Sequence, residues 1–213
     1  LGPDAVAPLL AEERRGEFEP MRLDLARARI GERLRPGGQG TVSDDDVARL
    51  AAAVRRPDGR SEDAALLGWL ELERKNAAAA FDWFEVARAR GGDAKATLGA
   101  ALAADRAGRR EEARALAESR ADDAEVGALY LDLVAADLGA ATPVKPAPER
   151  LARFARTIEK LESGDAAQVL GWYAFKAQQF EAARAWFGKA MAWRPSAKSA
   201  EGHLLALKAL GDR

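Results

Sequence analysis

Apolar and polar positions follow a helical period along the whole chain, interrupted by short turn signals. The pattern predicts a helix over 4–16 with Asp4 as N-cap, and a second over 19–35 with Met21, Leu25, Ala28 and Leu34 on one apolar stripe. Pro36-Gly37-Gly38-Gln39-Gly40 ends the second helix. Ser43 is the expected cap of a helix over 44–56, and Ser61 of the helix that follows the turn Pro57-Asp58-Gly59. Beyond that point the elements come in pairs: 61–75 with 77–91, 94–107 with 109–121, 124–139 with 148–163, and 165–177 with 179–193. A last helix covers 197–210. The third pair has a long connection, from Gly139 to Pro148, whose Pro143, Pro146 and Pro148 restrict its backbone. It reads as a tolerated surface insertion, or as an edge that meets a partner.

Within this array two stretches about a hundred residues apart carry one pattern. Leu67-Gly68-Trp69 is followed by Ala80, Trp83-Phe84 and Ala87; Leu170-Gly171-Trp172 is followed by Ala183, Trp186-Phe187 and Ala190, then Pro195. In both, the small residue stands thirteen after the leucine, the aromatic four later and the alanine three later. Such spacing is how two short antiparallel helices pack, small residues letting the axes approach and the aromatic filling the gap. Repetition at this scale predicts a stacked array in which each repeat buries its face on its neighbours.

The pattern resembles the tetratricopeptide repeat, a helix-turn-helix unit of about 34 residues. Leu170, Gly171, Ala183, Phe187, Ala190 and Pro195 stand where that family has its signature residues, as do Leu67, Gly68, Ala80, Phe84 and Ala87. A weaker copy over 94–121 has Gly108 at the turn and Ala113 at the small position. The resemblance implies an all-α fold, an α-solenoid of antiparallel helix pairs wound as a right-handed superhelix. The expected organisation is N-terminal helices over 1–60, read as degenerate repeats, then pairs 61–93, 94–123, 124–163 and 164–197 with a half repeat 198–213.

Composition agrees. Of 213 residues 48% are hydrophobic and 31% charged, dominated by strong helix formers. The balance of 33 basic and 34 acidic residues argues against a nucleic-acid surface, which needs a clustered basic excess. Arg55-Arg56 and Arg109-Arg110 read as helix-end pairs. The absence of cysteine excludes disulfides and thiolate metal sites. No run approaches the length of a membrane span, so no membrane insertion is expected. The chain begins at Leu1 and ends after a first helix of a pair, which reads as a piece of a longer protein.

Constellations for catalysis are missing, and the expectation is a protein that is not an enzyme and has no metal or cofactor. The single histidine, His203, sits beside Leu204-Leu205 and reads as packing or surface. Gly37-Gly38-Gln39-Gly40 lacks the following lysine and preceding strand of a phosphate loop. Asp44-Asp45-Asp46 suits the positive end of a helix dipole, with a bound cation as the sharper alternative. Adjacent acids such as Glu111-Glu112 and Asp122-Asp123 diverge around a helix. A helical domain packed on a catalytic module elsewhere is the enzyme reading that stays open.

In tetratricopeptide arrays the first helix of each pair lines the concave face, which carries the expected site. Carried onto this sequence, the resemblance places Trp69 and Glu73, Leu102 and Arg106, and Gln168, Trp172, Phe175 and Lys176 there. Trp69 and Trp172 are equivalent: groove residues that bind a partner, or core residues under a neighbouring helix. The wider resemblance is to alanine-rich bacterial repeat arrays with Leu-Gly-Trp openings, several of them periplasmic parts of exopolysaccharide secretion machines, cellulose exporters included. It implies a non-enzymatic scaffold in the periplasm that holds a protein or peptide, or a polysaccharide. A cytosolic protein-interaction adaptor is the alternative.

Overall fold

The computed structural model describes residues 17–140 and 146–211. The helix expected over 4–16, its Asp4 cap and Pro143 lie outside the described residues. Within them the chain is all α-helical: α1 (Glu19–Arg33), α2 (Asp44–Arg55), α3 (Ser61–Glu73), α4 (Ala77–Ala89), α5 (Ala94–Arg106), α6 (Arg110–Ser119), α7 (Ala124–Gly139), α8 (Pro148–Leu161), α9 (Gly164–Lys176), α10 (Phe180–Trp193) and α11 (Ala197–Gly211). These packed helices form two compact units, Leu1–Leu116 and Ala117–Arg213, with consecutive helices packed in each as in a helical-repeat solenoid.

Local chemistry sets most boundaries. Ser43 Oγ accepts from Asp46 N at 3.1 Å while the Asp46 carboxylate accepts from Ser43 N at 3.2 Å, a capping box at the start of α2. Asp93 caps α5 through Lys95 N and Ala96 N, and Asp123 caps α7 through Glu125 N and Val126 N. Ser61 is a correction: it is the first residue of α3, whose N-cap is Arg60 with no side-chain cap bond. The turns within pairs share one device. Lys75, Gly108 and Gln178 each adopt the left-handed conformation, at φ 64, 76 and 59°. Only Gly108 does so without steric cost.

In the first unit one apolar cluster joins five helices. Ile30 of α1, Leu50 and Val54 of α2, Leu67 and Leu70 of α3, Ala87 of α4 and Ala96 of α5 are all buried in it. The α1 stripe read from the sequence is wrong by part of a turn. Ala26 and Ile30 are fully buried, whereas Met21 is 38% exposed and Ala28 is exposed. Those alanine and methionine positions satisfy a helical period too, and only the docking of α2 and α3 selects the face.

Phe84 shows how the layers lock. Its ring is fully buried and sits between two glycines on successive first helices. A Cβ added at Gly68 of α3 would meet the ring at 2.8 Å, and one at Gly99 of α5 would come closer still. The second unit repeats this wedge. Phe187 of α10 lies against Gly171 of α9, where an added Cβ would be 2.8 Å away, and against Gly202 of α11. The interval from Gly68 to Gly99 equals that from Gly171 to Gly202. Leu98-Gly99-Ala100 is therefore the counterpart of Leu67-Gly68-Trp69, and Ala100 stands at the tryptophan position. Full burial of one such ring contributes roughly 1.5–3 kcal/mol.

Basic side chains reach back about one repeat to the carbonyls at helix ends. Arg90 Nη1 donates to Val54 O at 2.6 Å and Arg106 Nη1 to Leu72 O at 3.3 Å. In the second unit the bond goes to a turn instead: Lys160 Nζ donates to Asp122 O, just before the cap of α7, at 2.8 Å. Cations at the negative ends of helices satisfy carbonyls that have no partner inside the helix.

Candidate partner-binding groove

Trp69 anchors the first unit's candidate site. It follows Gly68, so the close approach of Phe84 fixes it: the two rings meet edge to face, with centroids 5.0 Å apart at 76°. The indole remains half-buried and lines two cavities along α3. The first, of about 300 Å³, runs between the starts of α3 and α5, with Ala65, Leu66 and Ala96 as its floor and Glu62, Asp93 and Lys95 at its rim. The second, of about 410 Å³, is walled by Leu34, Leu72, Arg33, Arg35, Glu73 and Arg106. A third, beyond the end of α3, shares Leu72, Glu73 and Arg106 with the second and adds Lys75. Trp69, Glu73 and Arg106, expected together from sequence, are thus brought together. Leu102 is half-buried on α5 and lines none of these three cavities.

The charges around Trp69 are partly spent. Arg33 Nη2 donates to Glu73 Oε1 at 2.6 Å and Arg35 Nη1 to Glu32 Oε2 at 2.6 Å. Arg106 holds the Leu72 carbonyl and, among the described residues, has no carboxylate partner; the same is true of Lys75. Arg33, Leu34 and Arg35 were not expected here. The signal was the glycine turn after α1: Gly37 is left-handed at φ 75°, and a side chain on Gly38 would strike the last carbonyls of α1. That tight turn folds the end of α1 against α3.

Deeper charges are structural. Arg27 grips Asp63 with Nε and Nη2 at 2.8 and 2.6 Å, and this bidentate bond holds the guanidinium above its usual range. Burial alone would raise the Asp46 carboxyl, but hydrogen bonds from Ser43 and the Arg29 contact at 3.0 Å outweigh it and hold it below the usual range. Asp46 is committed to its cap and its arginine, and Asp45 accepts from Arg49 at 3.0 Å.

In the second unit Trp172 copies the geometry of Trp69, meeting Phe187 at 5.0 Å and 73°. Phe175 extends the cluster, 5.9 Å from Trp172 and 5.3 Å from Phe180. Both Trp172 and Phe175 are half-buried against a core of Ala174, Ala183, Phe187 and Ala206. Gln168 Oε1 accepts from Ser196 Oγ at 2.6 Å and Ser199 Oγ at 2.9 Å. Lys176 is exposed at the end of α9. Asp132 of α7 is raised by desolvation and then by the nearby Asp165 charge. His203 is half-buried on α11.

Among the described residues no group of three or more His, Cys, Asp or Glu side chains could hold a metal, and no helix is long and apolar enough to cross a membrane. No protein-family model matches the chain, and no curated protein matches it.

Proposed function

We propose that this chain is a non-catalytic helical-repeat scaffold that holds a partner on the α3 groove, as part of an envelope system for exopolysaccharide export. The observation that carries the reading is Trp69. Its ring packs edge to face with Phe84, so the half-buried indole is restrained where it lines two open cavities and can bind at little entropic cost. The tetratricopeptide-like spacing around Gly68 and Gly171, and the likeness to periplasmic secretion arrays, supply the setting. The role is passive: a preformed surface positions a partner and performs no bond-making step.

Deletion of the gene is expected to reduce secreted polysaccharide while synthase activity in cell extracts stays intact. Normal secretion in the deletion strain would overturn the reading. The apolar floor of Ala65, Leu66 and Ala96 favours one second reading, a cytosolic adaptor that seats a peptide or helix. Fractionation of cells producing the full-length gene product separates the two, since an adaptor stays with the cytosol.

A further inference from the structure

We infer that the α3 groove binds a linear polysaccharide bearing carboxylates, with its acid groups seated at the Lys75–Arg106 end; this rests on the scaffold reading and names its ligand. The three cavities are steps of one path. Trp69 joins the first to the second, and Leu72, Glu73 and Arg106 join the second to the third. The path follows α3 from Ser61 to beyond its last turn, about 20 Å for a helix rising about 1.5 Å per residue. An extended chain fits such a path.

Its charge is graded. At the start Glu62, Asp93 and Lys95 line the first cavity, and Glu62 pairs with Arg60 at 3.4 Å. At the far end Arg33, Arg35, Lys75 and Arg106 gather, and only Arg33 and Arg35 have carboxylates to neutralise them among the described residues. The C-terminal dipole of α3 opposes an anion there, but it amounts to about half a unit charge. Two cations with no carboxylate partner among the described residues outweigh it, and Leu72 O already accepts from Arg106. The fork of Arg106 suits a planar carboxylate.

The middle of the path favours sugar over peptide. Trp69 offers a fixed ring on which a pyranose can stack. The Arg33–Glu73 pair sets donors beside acceptors, which neighbouring hydroxyls, each both donor and acceptor, can satisfy. An amphipathic helix would instead need a continuous apolar wall, and beyond Trp69 the apolar floor of the first cavity gives way to Arg33, Arg35, Glu73 and Arg106.

The test is calorimetric titration of the intact chain with galacturonate hexasaccharide, cellohexaose and hexaglutamate. The acidic sugar is expected to bind, weakening as salt rises, and cellohexaose to bind about tenfold more weakly or worse. Lys75→Ala with Arg106→Ala, both exposed, should lower affinity for the acidic sugar by about tenfold and flatten its salt dependence, with circular dichroism unchanged. Trp69→Phe, which keeps an aromatic in the fold, should weaken both sugars. Equal binding of the two sugars would overturn the acid subsite, and binding of hexaglutamate alone would overturn the polysaccharide. Binding of none would overturn the inference as a whole, while the scaffold role stands or falls separately on secretion by the deletion strain.

Discussion

Replacing Gly99 by alanine tests the wedge that stacks the first unit. Two opposed effects meet at this site. Alanine in a helix interior is favoured over glycine by about 1 kcal/mol. Against that, the new Cβ would enter the Phe84 ring at less than the 2.8 Å found at Gly68. Phe84 is fully buried with Gly68 on its other side, so the ring has nowhere to swing. Overpacking of this kind costs typically about 1–3 kcal/mol, and the double enclosure puts it at the upper end. The net expectation is a loss of about 2 kcal/mol, or a fall of roughly 4–8 °C in melting temperature for a chain of this size. Gly188→Ala is the matched control: it also lies inside a helix, but nothing stands within 4 Å of its added Cβ. That variant should gain up to about 1 kcal/mol. Scanning calorimetry reads both, and hydrogen exchange of α3–α5 amides assigns the change to the first unit should the array unfold in steps. In the Gly99→Ala background, Phe84→Leu should recover part of the loss, a coupling visible in a double-mutant cycle. A Gly99→Ala protein as stable as Gly188→Ala would refute the wedge.

Three further outcomes follow from the same geometry. Gln178→Gly should raise stability by up to about 1 kcal/mol, because the φ of 59° is strained for glutamine, whereas Gly108→Gln should lower it, both read by urea denaturation. The Asp46 carboxyl is held low in the fold, so the unfolded chain takes up its proton first as pH falls; its stabilisation is present above the unfolded value and lost as pH drops through the folded one. Asp46→Asn should therefore flatten the acid limb of a stability-versus-pH curve below about pH 4, and an unchanged limb would refute the assignment. Asp132 has the opposite sign: raised in the fold, it keeps its proton longer than the unfolded chain does, so stability falls as pH rises across that window, and Asp132→Asn should be more stable than the parent at pH 7 by chemical denaturation.

The helices and their succession were legible in local sequence. Caps, turns and the apolar period act within a few residues, so α3 to α11 begin and end close to where Asp93, Asp123, Ser163 and the turn glycines place them. Also legible were the Gly68–Phe84 and Gly171–Phe187 contacts, because both partners lie inside one repeated pattern. The start of α3 at the Arg60 cap and the buried face of α1 were not legible, since the adjacent Ser61 and several apolar stripes satisfied the local rules equally well. Contacts across repeats depend on how the helices dock. Gly99 and Gly202 sit in copies without the family aromatics, and their need for an absent side chain exists only because a phenylalanine from the preceding repeat arrives there. The groove is of the same kind. Trp69, Glu73 and Arg106 were named from one helix face each, but Arg33 and Arg35 joined them through a glycine turn and an ion pair spanning forty positions. Local propensity depends on neighbours in the chain. A binding surface depends on neighbours in space, and packing alone chooses those.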